Sequence, residues 1–258
     1  MDIHTNNIER PLGFYNNLRN YFNTEAASYF SEQINHQKLR IDSDDFSYRI
    51  INHWEKNGLL LNIRPDGKGW RRYSVIDLLW INIIGSLRKF GFSIESLKSL
   101  RSFIGQQIDG EDFNTLDLLT YYTGKVLSQK LQTFVLVFSN GTMDIMNNSE
   151  YQEATSEVGI NNHIKINLNN ILKKIFEDVN LEPVLEEMME LTPNEIYLLA
   201  NARTGNYEYI NIQITEHSGL TYSPDDIKKN FIELIDIINN EKFRSISIKV
   251  QGKDLISI

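Results

Sequence analysis

Between Ser47 and Lys56 the apolar residues Ile50, Ile51 and Trp54 fall at helical spacing, with Arg49, Asn52 and His53 on the other faces. Asn57-Gly58 closes this helix, because glycine takes the left-handed conformation that helix C-termini favour. Two short apolar runs follow, Leu59–Ile63 and Trp70–Tyr73, on either side of Pro65-Asp66-Gly67-Lys68-Gly69. That loop composition predicts a tight hairpin. Ser74 and Asp77 stand at capping-box spacing ahead of an apolar helix reaching Phe90. Gly91 stops it, and Ser93 caps a further helix over Ile94–Ile104.

On the N-terminal side, Phe14-Tyr15, Leu18 and Tyr21-Phe22 suit an amphipathic helix interrupted by asparagines, and Glu25–Ile34 suits another. The segment Gln37–Phe46 is polar and strand-like. On the C-terminal side, Gly105 and Gly110 mark a joint, and Glu111–Lys130 reads as a helix. Its apolar stripe is Phe113, Leu116, Leu119, Tyr122, Val126 and Leu127. Thr133–Phe138 and Thr142–Met146 flank Asn140-Gly141, a hairpin signal, and His163–Leu168 alternates as a strand. Asn169–Asp178 and Pro183–Glu190 read as helices, the second with Pro at its first turn. Thr192-Pro193-Asn194-Glu195 is a capping box for a helix to Arg203, closed by Gly205, and Tyr207–Thr215 is a strand.

A weak repeat follows. Leu199, Ala202, Tyr207, Ile210, Ile212 and Ile214 recur 36 residues on as Ile235, Ile238, Phe243, Ile246, Ile248 and Val250. Each copy reads as helix, turn and strand, with a return strand near Leu220–Tyr222 or Leu255–Ile258; Ser223-Pro224-Asp225-Asp226 caps the second helix. Two copies are too few for a solenoid, so one small sheet with helices on a face is expected.

Composition narrows the class. With 258 residues, 41% hydrophobic and 23% charged, the chain can bury a proper core and is expected to hold two small domains. No apolar run approaches the roughly 18 residues of a membrane span, and no signal-peptide pattern opens the chain, so a cytoplasmic location away from membranes is expected. Zero cysteines exclude disulfides, thiolate metal sites and cysteine redox sensing. The net charge of −8 is unevenly spread: residues 26–105 carry 12 Lys+Arg against 8 Asp+Glu, and residues 106–258 carry 12 against 23. A local basic surface is what nucleic-acid binding needs, whatever the sign of the whole chain.

The stretch Ser47–Leu100 resembles the DNA-binding domain of the MerR family of transcription regulators. The resemblance rests on Ser47-x-Arg49, His53-Trp54-Glu55, Gly58-Leu59-Leu60, Gly69-Trp70-Arg71-x-Tyr73-Ser74, Asp77 and Leu87-Arg88-x-x-Gly91-Phe92-Ser93-Ile94, in order and without a gap across 54 residues. It implies an α+β chain whose winged helix-turn-helix occupies residues 43–105, after an N-terminal arm of helices over 1–42. A linking helix over 106–130 and a small α+β domain over 131–258, with hairpins and the two helix–strand repeats, complete it. The family's first helix should directly precede Ser47, where this chain has Gln37–Phe46. That helix is either displaced to about Glu25–His36 or replaced by a strand.

By the resemblance, Ser47, Tyr48, Arg49, Asn52 and His53 face the major groove of double-stranded DNA. Arg49 could reach guanine or a phosphate, and Asn52 suits adenine. Arg64, Lys68, Arg71, Arg72 and Tyr73 belong to the wing and lie near the DNA backbone. Ile50, Ile51, Trp54, Leu60, Leu78, Leu79, Ile83, Leu87, Phe92 and Leu97 are assigned to the core. The stripe on Glu111–Lys130 is the expected homodimer seam, giving a two-fold-symmetric DNA site. The acidic half would sense a small-molecule effector or bind a partner protein such as RNA polymerase. An alternative is a mobile-element accessory or chromosome-organising DNA-binding protein whose C-terminal half binds a partner protein.

Nothing points to catalysis or to a cofactor. There is no glycine-rich phosphate loop or nucleophile motif, and His4, His36, His53, His163 and His217 are scattered without metal-ligand spacing. Glu186-Glu187-Met188-Met189-Glu190 reads as a solvated acidic helix end. Tyr121-Tyr122, Met143 and Met146, together with Met188 and Met189, read as core packing before they read as a ligand pocket.

Overall fold

The computed structural model describes residues 10, 13–41, 46–61, 71–108, 111–157, 159–177, 179–182, 191–240, 243–250 and 256–258. Two amphipathic helices lead, α1 (Phe14–Phe22) and α2 (Glu25–Asn35), and Thr24 caps the second by accepting from Ala27 N at 3.2 Å. Of the two alternatives for the first helix, a helix stands at Glu25–Asn35, and the stretch before α3 holds a single β-bridge. α2 packs on a later helix, α4 (Val75–Lys89), and Leu39 in the strand-like stretch pairs antiparallel with Tyr73. Between them lies α3 (Tyr48–Lys56), and α5 (Ile94–Phe103) follows α4. The Trp70 end of the expected hairpin and its loop, like the expected helix Pro183–Glu190, lie outside the described residues.

α4 is apolar nearly all round, and residues 75–85 are buried except Asn82, which makes it a central helix rather than a surface one. α6 (Thr115–Gln129) is the second central helix. Its capping box is Asn114 with Asp117, and even Thr115, Thr123, Gly124 and Ser128 are buried along it.

Two antiparallel sheets follow. The first is built from β1 (Thr133–Phe138), β2 (Met143–Asn147) and β3 (His163–Asn167) in the order β2-β1-β3. β1 is buried on both faces: Val135 and Val137 join the main core, while Phe134, Leu136 and Phe138 lie with Met146 beneath Tyr151 and Ile160. Tyr151 comes from α7 (Asn148–Glu157), which follows β2; α8 (Leu168–Ile175) follows β3.

The second sheet holds the repeat. α9 (Pro193–Thr204) leads to β4 (Tyr209–Gln213) and β5 (Gly219–Tyr222); α10 (Pro224–Asn239) leads to β6 (Ser245–Lys249) and β7 (Ile256–Ser257). The strand order is β5-β4-β6-β7. Asn211 stands opposite Ser247, its own equivalent 36 residues on, with Ile210 opposite Ile248 and Ile212 opposite Ile246. The two copies are therefore related by a local two-fold axis through the Asn211–Ser247 pair. α9 lies against β7 and α10 against β5, so each helix packs on the other copy's return strand.

A continuous cluster of buried apolar side chains extends from Phe14 through α4, α6 and α9 to Val250. Arg10 ties the first described residue to the far half. Its guanidinium pairs with Asp144 of β2 and donates to Ile145 O at 2.7 Å and Tyr122 Oη at 3.3 Å. Burial alone would lower its pKa; Asp144, Tyr122 and Glu150 more than reverse that, and the charge is held.

Candidate nucleic-acid interface

α3 starts at Ser47, whose hydroxyl accepts from Ile50 N at 3.3 Å. The helix turns Ile51 and Trp54 inward and leaves Tyr48, Arg49, Ile50 and His53 exposed, Tyr48 at 67% and Ile50 at 40%. Ile50 thus departs from its expected place in the core. Ile50 lies four residues before Trp54, at the edge of the buried face, and what α3 packs against covers the Ile51 side of Trp54 instead. Phe92 is half-buried; the other residues assigned to the core here are buried.

Several contacts fix α3. The ring of Phe46 packs on Trp54, with centroids 5.5 Å apart, and lies across Gly85 of α4. A Cβ at position 85 would stand 2.5 Å from that ring, so only glycine permits this approach. After the helix, Trp80 Nε1 donates to Leu59 O at 2.6 Å, and Arg101 Nε donates to Leu60 O at 3.3 Å.

The two motif arginines have different fates. Arg49 is exposed. Arg71 is buried against α3, with 8% of its side chain exposed and 11% of that of its ion-pair partner Glu55. It also donates to Asn52 Oδ1 at 2.7 Å, and its guanidinium lies 5.2 Å from the Tyr48 ring centroid. Arg71 was expected near the DNA backbone; the structure uses it as a strut from the stretch that leads into α4 to α3. Asn52, half-buried, is held by that strut, so its carbonyl oxygen already has a donor.

Arg72 is exposed and its Nη1 lies 3.4 Å from Lys38 O. Tyr73 is buried, and its backbone N–H and C=O both bond Leu39 at 2.9 Å, which takes the side chain out of the expected contact set. Arg64 and Lys68 lie outside the described residues. Sequence reasoning missed Glu55 as the buried carboxylate of the strut. The signal was its position three residues beyond Asn52, on the same helix face.

The stripe expected to form a dimer seam is interior. Phe113, Leu119, Tyr122, Val126 and Leu127 are buried and Leu116 is half-buried, with α6 packed against α9, α8, α4, α2 and β2 of the same chain. Intrachain packing replaces the seam. Tyr122, Met143 and Met146 are likewise core residues, while Met188, Met189 and the acidic run 186–190 lie outside the described residues. Among the described residues no group of three or more His, Asp or Glu side chains could hold a metal ion, and no helix is long and apolar enough to cross a membrane.

Residues 45–103 match the family model described as MerR HTH family regulatory protein. No curated protein and no solved structure matches the chain.

Proposed function

We propose, taking residues 45–103 as a MerR-type helix-turn-helix domain, that α3 reads the major groove of a two-fold-symmetric DNA site. The match over residues 45–103 supports a DNA-binding transcription regulator. Tyr48, Arg49, Ile50 and His53 share the exposed face of the first turns of α3, the part of a recognition helix that meets base edges. Arg49 supplies the donors that suit guanine O6/N7 or a phosphate, and Tyr48 and Ile50 supply apolar contact of the kind a thymine methyl favours. Arg72 contacts the backbone and contributes salt-dependent affinity. Arg71 is a positioning residue that holds the wing and α3 in one register.

The observation that carries this reading is the division of labour between the arginines: Arg71 is consumed in an internal ion pair, and Arg49 is left on the surface beside Tyr48 and Ile50. A symmetric site requires two chains, and with the α6 stripe buried the pair forms through another surface. The test starts from a site selected from random duplexes by the full chain. Arg49→Ala is expected to weaken binding to that site by tenfold or more, with a stoichiometry of two chains per duplex in sedimentation. Unchanged affinity, or one chain per duplex, would end the respective half of the reading.

A further inference from the structure

A cavity of about 190 Å³ opens where α2, the strand-like stretch before α3, the start of α4, and α9 meet. We propose that it binds a small carboxylate with a ring-sized apolar body, and that its occupation shifts the stretch Arg71–Tyr73 relative to α3. The coupling half of this rests on the DNA-binding reading above; the binding half does not.

The walls are apolar: Phe30 and Ile34 of α2, Leu39, Val75, Leu127 and Ala200. A dry apolar cavity of about 150 Å³ accepts benzene, so this one has room for a six-membered ring or a short branched chain. The polar groups select the head. Among the described residues no Asp or Glu lines the cavity, whereas Lys38 and His36 do. Both are exposed, and among the described residues neither the Lys38 ammonium nor the His36 ring has a hydrogen-bond or ion-pair partner.

Deeper polar side chains are already committed. Asn201 donates to Tyr197 O at 2.8 Å and accepts from Asn206 at 3.2 Å, and the Thr204 hydroxyl donates to Ala200 O at 2.9 Å. An apolar floor under a rim that carries the Lys38 ammonium suits an amphiphilic monoanion better than a neutral or cationic compound.

The same walls carry the stretch Arg71–Tyr73. Leu39 exchanges two 2.9 Å backbone bonds with Tyr73, and Val75 lies two residues beyond Tyr73. Arg72 reaches Lys38 O, and Arg71 grips Glu55 and Asn52 of α3. A ligand that displaces Leu39 or Val75 therefore moves the stretch from which Arg71 reaches α3. Two sites coupled through a shared element affect each other reciprocally.

The test uses the full chain and titrates benzoate and phenylacetate, each against its uncharged amide, by calorimetry. At least one carboxylate is expected to bind, at least tenfold more tightly than its amide. Lys38→Gln, a surface change, should erase that preference, and Ala200→Leu should abolish binding by filling the floor. Absence of binding by both carboxylates, equal binding of acid and amide, or indifference to Lys38→Gln overturns the site. DNA affinity is then measured by anisotropy with and without saturating carboxylate, and a change of threefold or more, lost in Lys38→Gln, is expected. Unaltered DNA affinity overturns the coupling alone. Absent DNA binding without any ligand is a failure of the DNA reading, and the calorimetry still decides the cavity by itself.

Discussion

Arg49 and Arg71 belong to the same run of motifs and carry the same charge, yet they answer different questions. Arg49 is exposed, so Arg49→Ala should leave stability within about 0.5 kcal/mol of the wild type. Its loss should appear in DNA binding, with the slope of log K against log salt falling by about one if the contact is to phosphate. Urea denaturation and anisotropy at several salt concentrations separate the two effects. Arg71→Ala should show the opposite balance: it takes the buried guanidinium away from Glu55, itself largely buried, and should cost about 3 kcal/mol of stability. In a double-mutant cycle, Glu55→Gln should cost less on the Arg71→Ala background than in the wild type, since the ion pair is already gone. Additive losses would show that the pair does not act as a strut. At this scale the sequence displayed both arginines but not which one was consumed. The acid that consumes Arg71 lies 16 residues away.

Local chemistry reads out best at the scale of elements. Four capping boxes, Ser74/Asp77, Asn114/Asp117, Thr192/Glu195 and Ser223/Asp226, open α4, α6, α9 and α10, and three were visible as motifs. A further pair is silent in the sequence pattern: Glu150 N donates to Asn147 Oδ1 at 3.0 Å and Asn147 N donates to Glu150 Oε2 at 2.8 Å, opening α7. Asn147-x-x-Glu150 has the right spacing, but the strand ends there and no apolar periodicity follows to announce a helix. Ser74→Ala removes a buried cap and should lower stability by about 1–2 kcal/mol, measured by urea denaturation. At Gly124 a Cβ would lie 3.2 Å from both Ile196 Cγ2 of α9 and Phe30 Cε1 of α2. Gly124→Leu should therefore cost about 1–3 kcal/mol through overpacking, by the same measurement. An α6 stripe that tolerated leucine at 124 would point to looser packing than the structure shows.

For the whole molecule, buried tyrosines tie the halves together and predict an alkaline limit. Burial raises the pKa of Tyr122, and Glu150, to which its hydroxyl donates at 2.5 Å, raises it further. Burial also pushes Tyr21 up, and takes Tyr197 to about 12. Each folded value exceeds the unfolded value near 10, so the folded chain binds the phenol proton more tightly than the unfolded chain. The resulting stabilisation is complete below about pH 10 and is lost as pH rises through the folded values. Tyrosinate absorbance and far-UV circular dichroism should therefore change together above about pH 10; full ionisation with the helical signal intact would contradict this burial.

The chain by itself determined where most helices and strands begin and end, the hairpin at Asn140-Gly141 and the 36-residue repeat, because turns, caps and apolar periodicity act within a few residues. It also set the positive balance of residues 26–105 against the acidic remainder. Tertiary structure decided which surface each stripe meets. The α6 stripe is apolar whether its neighbour is a twin or the chain's own α9, since burial rewards any apolar partner. It also decided that Ile50 faces out while Ile51 faces in, that Arg71 braces α3, and that Leu39 joins a cavity wall to the wing. Those outcomes depend on residues brought together from distant parts of the chain, and no local pattern encodes them.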